Sequence, residues 1–337
     1  MKDMQIVFGE KLDLDFENFV LIDLPVVKEK IEGQTRSFGE IIFMGDFHFG
    51  HNQHSFSHLH KYLGLLERRK HVQICMMGDV FEMQDLADFV KEAEVPERLQ
   101  VEMFLSNFKP FAKRIKTMIW GNHEKRYAKH GKMVVDLFEY CKEKLENPDI
   151  YTAPPQRGIL AAVKAGDQLY SVYMLHGRSK ATTILDAQLR RSRGIWATTI
   201  IAHGHTHKMD WHPMTMFTVA GDGKVFGRLV IRQYLLSTGC FLRYPGYAEE
   251  GSLPVSDIGA PIVRFYADSC GVEYIDPRTR YKDYFLKGGE FYQHADVDCS
   301  DLLDFGFKPA TKGTPLAPQT ICFYKLKGKG TAVLPPC

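Results

Sequence analysis

The sequence predicts a layered α/β fold. Two observations carry that reading: short apolar runs that stop at glycine, and amphipathic helical segments between them. Glu40–Gly45 (EIIFMG) is the first such run and suits a buried strand. His54–Arg69 places Phe56, Leu59, Leu63 and Leu66 at three- to four-residue spacing, which predicts an amphipathic helix. Val72–Met77 is a second buried strand, again ending at glycine. Pro96–Lys116 predicts a helix with Leu99, Met103, Phe104 and Phe111 on one side, and Pro110 predicts a kink or break in it. Thr117–Trp120 reads as a third strand. Glu124–Glu146 reads as one charged helix, with Met133, Leu137 and Cys141 four residues apart. Gln168–Leu175 is a strand, Lys180–Arg193 a helix and Thr198–Ala202 a strand. After Gly204 the pattern changes, and Thr215–Ala220, Val225–Ser237, Pro261–Ala267 and Val272–Ile275 read as successive strands.

Three parts are expected along the chain. Residues 1–38 show little periodicity and read as an N-terminal extension. Residues 39–277 carry the layered pattern. Residues 278–337 read as a C-terminal extension. The whole is 337 residues, 45% hydrophobic and 25% charged, which suits a core of ordinary size and excludes global disorder. The net charge of +2 excludes a broad basic coat, so any nucleic-acid partner must be gripped locally. No apolar run approaches the ~18 residues of a spanning helix, so no membrane partner is expected. Met1–Glu17 is interrupted by Asp3, Glu10, Asp13 and Asp15 and has no secretory h-region. The seven cysteines are odd in number, scattered and without a C-x-x-C, which points to reduced thiols in a cytoplasmic protein.

Nine of the 14 histidines cluster at residues 48–60 and 203–212, and their neighbours give the clustering meaning. Five short segments hold ligand-type residues: Gly45-Asp46-Phe47-His48, Gly78-Asp79, Gly121-Asn122-His123-Glu124, His176-Gly177 and Gly204-His205-Thr206-His207. Each follows a predicted strand, and in open α/β sheets function collects at the carboxyl ends of strands. Carboxylate and imidazole donors together suit Mn, Fe or Zn and are poor for Ca. Seven such side chains exceed one tetrahedral sphere, whereas two ions sharing a carboxylate at roughly 3.5–4 Å would fit. Composition predicts Gly-Asn-His-Glu by chance in about two of a thousand such chains.

The series D-x-H, G-D, G-N-H-[D/E], H, G-H-x-H resembles the calcineurin-like metallophosphoesterase family, and the resemblance covers about residues 40–275. It implies a four-layer α/β/β/α sandwich, two mixed sheets flanked by helices, with residues 39–277 as the catalytic domain. It implies two divalent metal ions, Mn foremost, with Fe or Zn as alternatives. By motif position Asp46, His48 and His207 would hold one ion. Asn122, His176 and His205 would hold the other, and Asp79 would bridge them. His123 would face the substrate as general acid, with Glu124 orienting it. The reaction implied is phosphoester hydrolysis by in-line attack of a metal-bridging hydroxide.

The substrate is less legible. Asp-Phe-His-Phe-Gly-His and Gly-Asp-Val-Phe-Glu are similar to forms in the family's DNA-repair nucleases and some phosphodiesterases. Those nucleases often carry histidine where this chain has Glu82, and an anion facing a scissile phosphate would repel it. Arg126, His51 and Arg178 are the expected substrate contacts, with Lys125, His54, Arg190, Arg191 and Arg193 nearby in sequence. The expected activity is a phosphodiesterase acting on DNA, RNA or a nucleotide. A phosphomonoesterase is the alternative, followed by a non-catalytic binding scaffold.

Overall fold

The computed structural model describes residues 19–83, 95–129, 136–153, 157–177, 198–221, 226–243, 256–280 and 284–285. Two mixed sheets lie face to face. One contains β3 (Gln34–Met44), β4 (Gln73–Met76), β5 (Ile115–Met118) and β6 (Tyr151–Thr152), all parallel. Antiparallel β12 (Ile262–Tyr266) and then β13 (Val272–Ile275) extend it beyond β3, whose start also pairs with β2 (Val27–Ile31). The other sheet has six strands in the order β1 (Phe19–Leu24), β7 (Ile159–Ala165), β8 (Gln168–Leu175), β9 (Ile200–His203), β11 (Phe226–Ser237) and β10 (Asp210–Gly221). Here β8, β9 and β11 run parallel, while the hairpins β7–β8 and β10–β11 are antiparallel.

The alternation of side chains along each strand builds the layers. Ile41, Phe43, Cys75 and Met77 face inward and meet Ile22, Ile159, Val163, Val172, Met174 and Ile200 from the other sheet. Ile42, Met44, Ile74, Met76 and Met118 face outward, where Leu59, Leu63 and Leu66 of α1 (Phe56–Arg68) and Phe104 and Phe108 of α2 (Glu97–Phe108) cover them. Helix α1 thus buries the stripe its spacing predicts. The helix expected over Lys180–Arg193 lies outside the described residues. No described helix is long and apolar enough to cross a membrane.

Several expectations change in detail. The helix of Pro96–Lys116 ends at Phe108 and tightens into a 3-10 turn over Lys109–Arg114, where Pro110 cannot donate to an α-helical ladder. The single helix expected over Glu124–Glu146 is two helices, α3 (Asn122–Lys129) and α4 (Leu137–Lys144). Asp136 caps the second: its side chain accepts from the N–H groups of Phe138 and Glu139, and its own ψ of 117° is not helical. Among the described residues, regular structure is already present at Phe19, well before Gly39. β1 adds a parallel edge strand beside β7, and β2 adds an antiparallel one beside β3.

Candidate metal centre

Five parallel strands end at the same rim. Asp46 follows β3, Asp79 follows β4, Asn122 follows β5, His176 follows β8, and His205 and His207 follow β9. The loops continue the sheet for one more step: Asp46 N donates to Gly78 O at 2.8 Å and His48 N to Asp79 O at 3.0 Å. Crowding explains the glycines. Gly78 has φ +93°, and a Cβ there would lie 2.6 Å from His176 Nδ1. A Cβ on Gly121 would collide with Asp79 Oδ1.

The expected ligands themselves are strained. Asp46, His48, Asp79, His205 and His207 all have φ between 46° and 69°, a region that L side chains visit rarely. Such conformations persist only where surrounding structure over-determines them, and they concentrate at functional sites. Here the surrounding structure is a set of backbone bonds to the carboxylates. His205 N donates to Asp46 Oδ2 at 3.1 Å and His123 N donates to Asp79 Oδ1 at 3.0 Å.

All seven expected ligands converge. Donor atoms of Asp46, His48 and His207 lie within 4.8 Å of one another, as do those of Asp79, His176 and His205. Asn122 Oδ1 is 3.1 Å from His176 Nε2, which places it with the second group. His48, Asp79 and His123 form a third group of the same size, so Asp79 lies between the two expected positions. The residues fit divalent ions on a physical criterion as well. Asp46 and Asp79 are almost fully buried, and His48 Nε2 is a buried nitrogen with no hydrogen-bond partner, 3.9 Å from Asp79 Oδ2. A buried polar atom without a partner costs free energy that a cation would recover.

The electrostatics agree. Burial works against the ionised form of Asp79, yet His176 and His123 outweigh it and hold the carboxyl well below its usual range. Burial likewise opposes charge on His176, but Asp79 and Asp46 reverse this and raise it to about 9. His176 Nε2 lies 3.1 Å from Asp79 Oδ2.

His123 lies at the mouth with its side chain 15% exposed. Its Nδ1 contacts the backbone oxygen of Glu82 at 2.7 Å, which turns Nε2 toward the rim, 4.0 Å from Asp79 Oδ2. Glu124 has a different place from the one expected. Its carboxylate accepts from Phe81 N at 3.0 Å and Gly121 N at 2.9 Å, joining the loops after β4 and β5. Burial and the neighbouring Asp79 raise its pKa to about 7. The side chain that reaches the His123 ring is Glu82. It is buried, with Oε2 2.8 Å from His48 Nδ1 and Oε1 3.3 Å from His123 Nδ1. Two imidazoles thus contact its carboxylate.

His51 stands beside His48, ring centroids 6.3 Å apart, and is buried, with Nδ1 accepting from Gln53 N at 2.9 Å. His54 points into the core: its Nδ1 contacts Phe47 O at 2.6 Å, and its ring packs on Phe49 and Phe56. Arg126 is on α3, but its side chain lies outside the described part of the protein. Arg178, Arg190, Arg191 and Arg193 also lie outside the described residues.

A family model described as calcineurin-like phosphoesterase matches residues 39–242, more than half of the chain, and the chain belongs to that family. Membership makes it a metal-dependent phosphoester hydrolase by class. Among solved structures, a conserved uncharacterised protein from Streptococcus pneumoniae is 13% identical, over 75% of this chain and 94% of its own, with TM-score 0.32. Yfce, a phosphoesterase from E. coli, is 13% identical over 70% of this chain and 98% of its own, with TM-score 0.34. A 5'-nucleotidase from Candida albicans is 10% identical over 83% of this chain and 59% of its own, with TM-score 0.36. No curated protein matches the chain.

Proposed function

We propose that the chain is a dinuclear phosphodiesterase acting on nucleic acid or a nucleotide. The observation that carries the metal assignment is the convergence of Asp46, His48, His207, Asp79, Asn122, His176 and His205 at one rim, with Asp79 shared between two donor groups. Bound divalent ions, Mn foremost, would polarise the phosphoryl oxygens and lower the pKa of water toward ~7. Asp46 and Asp79 supply the negative charge that holds them, and the four ligand imidazoles supply neutral nitrogen once deprotonated. His123 is the general acid. Glu82 holds its Nδ1 side, so its Nε2–H is the proton aimed at the leaving oxygen. Glu124 acts at one remove, by fixing the Gly121 amide beside Asp79.

The diester preference rests on the Asp-Phe-His-Phe-Gly-His and Gly-Asp-Val-Phe-Glu blocks. His51, Arg126 and Arg178 are the substrate contacts in this reading, residues 39–277 the catalytic domain, and the buried thiols Cys75, Cys141 and Cys240 suit a cytoplasmic setting. The discriminating assay is hydrolysis of bis-p-nitrophenyl phosphate against p-nitrophenyl phosphate with added Mn. Faster turnover of the diester is expected. Hydrolysis of the monoester alone would make the enzyme a phosphomonoesterase, and no hydrolysis of either with metal bound would favour a binding scaffold.

A further inference from the structure

His123 is held from behind by one residue. Its Nδ1 meets the backbone oxygen of Glu82 at 2.7 Å and the carboxylate Oε1 of the same residue at 3.3 Å. Both oxygens are acceptors, so Nδ1 carries a proton and Nε2 is left for the rim. The place of the ring therefore depends on what fixes the Glu82 backbone.

Helix α2 supplies that anchor. Gln100 is fully buried in α2, beside the apolar Leu99, Val101, Met103 and Phe104. A buried amide must find partners, and Gln100 finds them in the backbone of other segments. Its Oε1 accepts from Glu82 N at 3.0 Å and from Met83 N at 3.2 Å, and its Nε2 donates to Val95 O at 2.8 Å. Glu82 N also donates to Phe49 O at 3.1 Å. The loop after β3 leaves room for the amide: Gly50 has φ +99°, and a Cβ there would lie 2.5 Å from Gln100 Cδ. Asn107 of the same helix provides a contrast, because its Nδ2 donates to Met103 O inside α2 itself.

The geometry points to Gln100 as the positioning residue of His123. The inference rests on the reading of His123 as general acid. The Glu82–Met83 peptide unit is planar, and it is held at both ends. Its N–H, on Met83, goes to Gln100 Oε1, and its oxygen, on Glu82, takes Nδ1–H of His123. Met83 has φ +41°, a conformation that a residue other than glycine keeps only where its surroundings impose it. Without the Gln100 amide that peptide can rotate, and His123 loses its fixed acceptor. A general acid must lie within hydrogen-bond reach of the leaving oxygen. The cost of a misplaced ring therefore grows with the leaving group's need for a proton.

The test compares wild type, Gln100→Met, Gln100→Ala, His123→Ala and Asn107→Leu as full chains with Mn. The probes are p-nitrophenyl and phenyl phosphates, each as diester and as monoester. Metal content, melting temperature and the imidazole nitrogen NMR spectrum of the metal-free chain are measured alongside. Methionine keeps the length of the side chain and removes the amide. Gln100→Met should lower kcat about 10–100-fold for the phenyl ester and less than about threefold for the p-nitrophenyl ester, the scale expected for a small misplacement of a catalytic group. Metal content should match wild type. The His123 ring, identified by its loss in His123→Ala, should be a single Nδ1–H tautomer in wild type and a mixture in Gln100→Met. Asn107→Leu should match wild type in both readouts. If Gln100→Met does not fold, Gln100→Ala carries the same comparison. Wild-type leaving-group dependence together with a wild-type His123 spectrum in the Gln100 variants would overturn the proposal. So would an equal loss on every ester with a lowered melting temperature, which would make the role one of packing. If His123→Ala itself shows no dependence on the leaving group, the general-acid reading fails instead, and the tautomer comparison still decides whether Gln100 places the ring.

Discussion

Strand β3 feeds two buried charge clusters that have opposite designs. Glu40, in mid-strand, is fully buried and fully answered. Its Oε1 accepts from Arg264 Nε and Nη2 at 3.1 and 2.9 Å, and its Oε2 accepts from Arg69 Nε and Nη2 at 3.1 and 2.9 Å, with His71 Nε2 2.9 Å away. Asp46, just past the strand's end, is equally buried but stands close to Asp79 among imidazoles, one of which has an unpartnered nitrogen. The chain closes the first cluster by itself and leaves the second to be completed by cations. The backbone repeats the contrast: Glu40 lies in regular strand, whereas five of the proposed ligands at the rim take left-handed φ. Buried charge alone is therefore no mark of function; buried charge left incomplete on strained backbone is.

The largest expected effect breaks the rim cluster. Asp79→Ala should abolish stoichiometric binding of both ions and leave no measurable turnover, because Asp79 groups with His176 and His205 on one side and with His48 on the other. Elemental analysis checks this, and a fully metallated, active variant would sink the shared-ligand assignment. Next, His123→Ala should keep the metal content and slow the chemical step on the order of 10²–10⁴-fold for a diester with an alkoxide leaving group. The loss should be small for p-nitrophenyl esters, whose leaving group barely needs a proton. Equal losses on both, with metal loss, would make His123 a ligand.

The Glu40 cluster should behave in the opposite way. Arg264→Ala should cost about 3–5 kcal/mol in unfolding experiments, since it takes the Arg264 donors from one oxygen of a buried carboxylate, while Mn stoichiometry stays at the wild-type value. A pH series sharpens the point. Burial raises the Glu40 pKa, but His71, Arg69 and Arg264 more than offset it and bring it down to about 2. A lowered folded-state pKa means stability that is fully present above the unfolded value of 4.5 and is lost as pH falls from there toward about 2. Glu40→Gln should flatten that acid limb of the denaturation curve, and an unchanged limb would remove Glu40 as its source.

The two clusters were not equally legible from sequence. Each rim ligand sits within a few residues of a strand terminated by glycine, so a local pattern marks it. Glu40, Arg69 and Arg264 meet only through the pairing of β3 with β12 and the packing of α1, which no local spacing reports. The same limit hid β1 and β7. The alanines of Ile159–Ala165 carry little strand signal, and Phe19–Leu24 gains its order by pairing with a strand far along the chain. It also hid the Glu82 contacts, since the direction of a side chain behind an imidazole follows from how loops after different strands stack. Lys180–Arg193 and the arginines around it lie outside the described residues.

The central claim is that the rim is a charge cluster completed by two cations sharing Asp79. The most direct measurement is metal content per chain after reconstitution with Mn and removal of excess, for wild type, Asp79→Ala and Arg264→Ala. Two ions in wild type, none retained by Asp79→Ala and two in Arg264→Ala are expected. One ion or none in wild type, or two retained by Asp79→Ala, would contradict it.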